Sequence, residues 1–181
     1  MKQKYIMISG FALMTSILAF SFYGMGKSLA SGESEHDEHR FSSQKQNPLY
    51  LEECGSCHMA YPPQLLPGKS WSKMMQGLED HFGENAELDE VTSREIENYL
   101  TQTSDSSSYK KMFRNLGSQT PLRITELPYF VHEHDEIPSR FIQGNDKVGS
   151  LSQCNACHQK AERGQFDEDD VIIPGVGRWD D

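Results

Sequence analysis

The stretch EECGSCHMAYPP, running from Glu52 to Pro63, sets two cysteines and a histidine in the spacing CxxCH, and CNACHQKAERG repeats that spacing from Cys154. The two pentapeptides use all four cysteines of the chain, Cys54, Cys57, Cys154 and Cys157, and each ends in a histidine, His58 or His158. Cysteines three apart share one side of a helix. The residue after the second can then turn its imidazole beneath a flat group held by both sulfurs.

CxxCH is the attachment sequence for c-type haem. The cysteine sulfurs add to the vinyl groups of the porphyrin, and the histidine that follows is the proximal axial ligand of the iron. Two other readings compete. Four thiolates suffice for a structural zinc site, but such a site does not call for histidine after each pair. A thioredoxin-like redox pair needs one CxxC beside a βαβ pattern, which the sequence lacks. The double motif therefore predicts two covalently attached c-type haems.

Outward from the first motif, the N-terminus has a basic start (MKQK), an apolar run (YIMISGFALMTSILAFSFYGMG) and small residues at Ser28 and Ala30. Residues 1–30 read as a signal peptide cleaved after Ala30. An uncleaved membrane anchor is the alternative, because about 20 apolar residues can span a bilayer. Cleavage removes Lys2, Lys4 and Lys27 and takes the formal charge of the 181-residue chain from −10 to −13. An acidic surface of this kind repels nucleic acid and steers cationic protein partners toward it. Residues 31–47 are polar and charged, a flexible tail whose His36 and His39 are read as solvated.

Residues 48–104 are expected to form an N-terminal haem lobe and residues 105–181 a C-terminal one, divided by the serine-rich TQTSDSSSYKK. LYLEECGSCHMA is expected to be a helix carrying the first motif, broken by YPPQLLPG. In SWSKMMQGLEDHFG, Trp71, Met74, Met75, Leu78, His81 and Phe82 fall on one helical face, with Ser70 or Ser72 as cap and Gly83 at the end. Thr92 and Glu95 form a capping box for the next helix. In RITELPYFVHEHDEIP, Thr125 is a helix cap, and Leu127, Phe130, Val131 and His134 share a face that His132 does not. The only strand candidate is DVIIPG. The fold class is mainly α and loop-rich, with two small c-type haem-binding lobes.

Each iron has a second axial position, and what fills it separates electron transfer from chemistry on small ligands. His81 and His134 lie on apolar helical faces, where a histidine needs a partner. Met74 and Met75 are rivals better read as packing residues, while Met112 in KKMFRNLG stays an alternative to His134 at the second iron. His58, His158, His81 and His134 thus permit bis-histidine ligation at both irons, which implies low reduction potentials. Chain proximity pairs His81 with the first haem and His134 with the second, while a crossed arrangement stays open. Tyr61, Trp71, Phe82, Phe130 and Phe141 are expected around the porphyrins.

CGSCHMAYPPQLLPGKSWSKMMQGLEDHFGENAELD, RITELPYFVHEHDEIP and CNACHQKAERGQFDEDDVIIPG together resemble the small dihaem cytochrome c family of bacteria, over about Asn47 to Gly175. The resemblance implies a periplasmic or membrane-associated electron carrier rather than an enzyme. It also implies bis-histidine ligation, with His81 in HFG and His134 in HDEI as the matching positions. Its partners would be a membrane b-type cytochrome or quinol-linked donor and an oxygen-binding monohaem cytochrome c acceptor. No nucleic acid is involved, and membrane contact comes only through a partner or an uncleaved N-terminus. The alternative is a small dihaem peroxidase with one displaceable axial ligand. A haem-based sensor of small ligands is a third reading that nothing in the sequence calls for.

Overall fold

Asn47 starts the first helix. Its side-chain oxygen accepts the backbone N–H groups of Leu49 at 2.8 Å and Tyr50 at 3.1 Å, and Pro48 takes the first helical position, where its missing N–H costs nothing. In the computed structural model, which describes residues 46–104 and 111–179, this helix is α1, Pro48–Cys54. The remaining helices are α2 (Gly68–Met75), α3 (Glu90–Ser104), α4 (Pro128–His134) and the short α5 (Cys154–Cys157). Short 3-10 turns punctuate the loops between them. The leader 1–30, the tail up to residue 45 and the serine-rich 105–110 lie outside the described residues. Among the described residues no helix is long and apolar enough to cross a membrane.

Helix α2 packs on α3, which also meets α1 and the 3-10 turn Pro63–Leu65. Ile96 and Leu100, four apart on α3, are fully buried with Leu66 and Leu127. Each such side chain contributes about 1.5–3 kcal/mol by leaving water. Trp71 is buried beside them, and its indole N–H donates to the Pro63 carbonyl at 2.6 Å. The buried cluster takes residues from both sides of 105–110: Tyr50 to Leu100 on one, Met112 to Phe130 on the other. Met75 and Met112 are buried within it and Met74 packs against it. A small hairpin near the C-terminus pairs β1 (Ile172–Ile173) with β2 (Gly177–Arg178). It coincides with the DVIIPG strand candidate, and it is moored where the Asn145 amide donates to the carbonyls of Phe141 and Pro174 at 3.0 and 2.8 Å.

The elements differ from expectation at several places. Helix α1 stops at Cys54 instead of running through the first motif. Helix α2 starts after Pro67, not at a serine cap, and ends at Met75, well before His81. Leu78–Asp80 is a 3-10 turn entered through Gly77. The start of α3 is capped by Asp89, whose carboxylate accepts from Val91 at 3.0 Å and Thr92 at 3.2 Å. A carboxylate one turn earlier thus outcompetes the Thr92 box. Thr125 lies in a 3-10 turn, and Leu127 precedes α4. Val131 is 52% exposed and does not share the buried face of Leu127 and Phe130.

A chain of tyrosines ties α1 to the loop that precedes the second motif. The Tyr50 hydroxyl donates to the Tyr61 carbonyl at 2.7 Å, the Tyr61 hydroxyl donates to the Ser152 carbonyl at 2.8 Å, and Tyr99 packs 5.5 Å from the Tyr50 ring. Burial raises the pKa of Tyr50, Tyr61 and Tyr99, and lifts Tyr129 to about 12. Their folded values exceed the unfolded value near 10, so this stability is full below about pH 10 and is lost as pH rises through the folded values. Denaturation midpoints are expected to fall between about pH 9 and about pH 12, with a shallower fall in Tyr129→Phe.

Candidate functional site

The first motif begins on the last residue of α1 and leaves the helix at once. Gly55 closes the turn, its N–H donating to the Leu51 carbonyl at 3.0 Å. A Cβ at Gly55 would come within 2.2 Å of that same carbonyl oxygen. Only glycine fits so close an approach. Beyond it Cys57 is exposed, and His58 turns inward to bond the Met59 carbonyl through Nδ1 at 2.8 Å. In the second motif α5 holds both cysteines, and the His158 N–H donates to the Cys154 carbonyl at 2.8 Å. His158 also bridges Val171, just before the C-terminal hairpin.

His81 is presented by a tight turn. It exchanges backbone hydrogen bonds with Glu84 at 2.7 and 3.3 Å, while Phe82 and Gly83 between them have φ of 59° and 102°. Positive φ at both central positions is the requirement of a type I′ turn. For Phe82 that conformation stores strain of about 1–3 kcal/mol. The Asp80 carboxylate steadies the turn by accepting the Gly83 N–H at 2.9 Å. His134 sits at the end of α4, its Nδ1 bonded to the Phe130 carbonyl at 2.8 Å and its ring stacked on Phe130 at 3.9 Å and 12°. The expected i, i+4 pairing of Phe130 and His134 is thus present.

The structure brings His81 to His58 and His134 to His158. Ring centroids lie 6.1 Å apart with an interplanar angle of 19° in the first pair, and 6.2 Å apart at 64° in the second. A metal–imidazole bond of about 2 Å and about 1.1 Å more to the ring centre, on each side, separate two such centroids by about 6 Å. A plain aromatic contact tolerates the same spacing, so the ring nitrogens decide the matter. A carbonyl only accepts, so Nδ1 of His58 and His134 carries the proton and Nε2 keeps its lone pair for a metal. In His158, Nδ1 is buried with no partner, and few buried polar atoms are left so. Burial keeps the imidazoles of His81 and His134 below their ordinary pKa and pushes His158 down to about 4, favouring the neutral form that ligates. These residues fit two irons.

The thiols fit the same picture. Burial pushes Cys54 and Cys154 up to about 11, the opposite of the lowered pKa that a redox CxxC needs. Among the described residues no three His, Cys, Asp or Glu side chains converge as a metal site. The four cysteines therefore do not form a shared zinc site.

Of the expected aromatic neighbours, Tyr61 lies 5.0 Å from His58 and Phe82 4.8 Å from His81. Phe141 instead packs on Trp179, and Trp71 belongs to the core. His132 is exposed, 4.0 Å from Asp135, and joins neither pair. Sequence reasoning missed Arg123, whose guanidinium lies 3.9 Å above the Phe82 ring. It also missed Phe166, 5.4 Å from His158.

The family profile described as "Dihaem cytochrome c" matches residues 50–166. Among solved structures, the chain is similar to a dihaem cytochrome c from Shewanella baltica at 50% identity and a TM-score of 0.65, over 76% of this chain and 100% of that one. It is also similar to the dihaem cytochrome c of Rhodobacter sphaeroides at 46% identity. One structure of that protein gives a TM-score of 0.62 over 69% of this chain and 100% of that one, and a second gives 0.56 over 67% and 97%. No curated protein sequence matches. The matched span takes in both attachment motifs, and the likeness to whole chains runs far beyond them. By that measure the protein belongs to the dihaem cytochrome c family and carries two c-type haems.

Proposed function

We propose that the protein is an exported electron carrier whose two irons are each held between histidines, His58 with His81 and His134 with His158. The observation that carries this reading is that the histidines meet in two pairs, 6.1 and 6.2 Å apart, each with one Nδ1 bound to a backbone carbonyl so that its Nε2 is left for a metal. Bound haem supplies a one-electron iron couple. The protein supplies the rest: hydrogen bonds from His58 and His134 to carbonyls fix each ring's tautomer and aim. Two nitrogen ligands per iron leave no position for peroxide, which favours a carrier over the peroxidase reading, and low potentials follow.

The leader read at 1–30 supports delivery to the periplasm and release after Ala30. There a membrane b-type cytochrome or quinol-linked protein would donate electrons, and a monohaem cytochrome c would accept them. The acidic surface, formal charge −10 for the whole chain, supports docking of cationic faces.

A low-temperature paramagnetic resonance spectrum of the oxidised protein, with a redox titration, tests the ligation. Two low-spin bis-imidazole signals and two low potentials are expected. A methionine-to-iron band in the far red, or carbon monoxide binding by both reduced irons, overturns it.

A further inference from the structure

The two histidine pairs differ in the charge beside them. Next to the first, Arg123 stands over Phe82, and Phe82 in turn stands against His81, so the guanidinium is one ring removed from the imidazole. A carboxylate residue precedes each of His81 and His134 in the chain, Asp80 and Glu133, and of the two pairs the first has the added guanidinium. We propose that Arg123 orders the two redox centres, its fixed cation over Phe82 making the His58/His81 centre easier to reduce than the His134/His158 centre. The proposal rests on the ligation reading above, and it assigns Arg123 as a positioning residue that touches no iron.

The sign follows from charge alone. Reduction adds one electron to a centre and lowers its positive charge, so a fixed cation nearby favours the reduced form and a fixed carboxylate disfavours it. Asp80, the chain neighbour of His81, accepts the Gly83 N–H and acts on its centre as Glu133 acts on the other, so Arg123 is what sets the two centres apart. Glu126 lies 3.9 Å from Arg123, and both side chains are about half exposed, so solvent and that carboxylate weaken the field without cancelling it. The strained Phe82 turn gives the guanidinium a fixed seat, and cation–π contact holds it there.

In the half-reduced protein the electron therefore resides mainly on the first centre. The test is a redox titration read centre by centre in the paramagnetic spectrum. The pairs are twisted by 19° and 64°, which separates their low-spin signals. Arg123→Gln is expected to lower the first centre's reduced-to-oxidised ratio at fixed potential about fivefold, leaving the second in place, and Arg123→Lys to restore most of it. Glu133→Gln is expected to raise the ratio at the second centre alone. If Arg123→Gln moves neither centre, moves both equally, or makes the first easier to reduce, the assignment is overturned. Line shapes of the oxidised wild type report separately on the ligation, so a failure there is not confused with a failure of the charge argument.

Discussion

Replacing His81 with alanine is expected to abolish one of two low-spin signals, add a high-spin one, and create one carbon monoxide site per chain while the other centre is untouched. Among the described residues, those nearest along the chain offer no replacement for that imidazole. Its turn carries Phe82 and Gly83 next along the chain, neither a ligand, and Met74 and Met75 are committed to the core around α2. Loss of an axial nitrogen donor should also raise that centre's potential. His134→Ala is expected to do the same at the other iron. His132→Ala, at an exposed position, should be silent. If His81→Ala keeps both low-spin signals, the pairing of His81 with His58 is wrong.

The second large effect is expected in stability. Trp71 is 4% exposed and fills the space between α2, α3 and the Pro63–Leu65 turn, and its indole donates to the Pro63 carbonyl at 2.6 Å. Trp71→Ala should cost about 3–5 kcal/mol, from lost burial, the cavity left behind and a carbonyl without its donor. Trp71→Phe keeps most of the volume and should cost about 1–3 kcal/mol. Denaturant unfolding of the haem-loaded protein measures both. Equal losses for the two variants would mean that the indole hydrogen bond, not the packing, carries the effect.

The cofactor was legible in the sequence because CxxCH is a chemical requirement written at fixed spacing. Four histidines could be singled out as axial candidates because few were available, but the helical placement of His81 does not hold. Periodicity placed it on a helical face with Trp71 and Met75, whereas Gly77 breaks the helix and the residue is delivered by a turn with positive φ at Phe82. Gly83 was the visible signal, read as a helix end when it closes a turn. The helical placement of His134 does hold, since Phe130 lies one turn before it and stacks on its ring. Arg123 and Phe82 could not be joined from sequence, because their contact comes from two loops far apart in the chain.

The close approach at Gly55 makes the two attachment pentapeptides unequal as pieces of backbone. Transplanting the spacer Asn155-Ala156 into the first motif would drive a side chain into the Leu51 carbonyl, 2.2 Å from where its Cβ must lie. The reverse exchange only removes atoms at position 155. Sequence drift at the first spacer is therefore confined by the helix in front of it, while the second spacer is free of that wall.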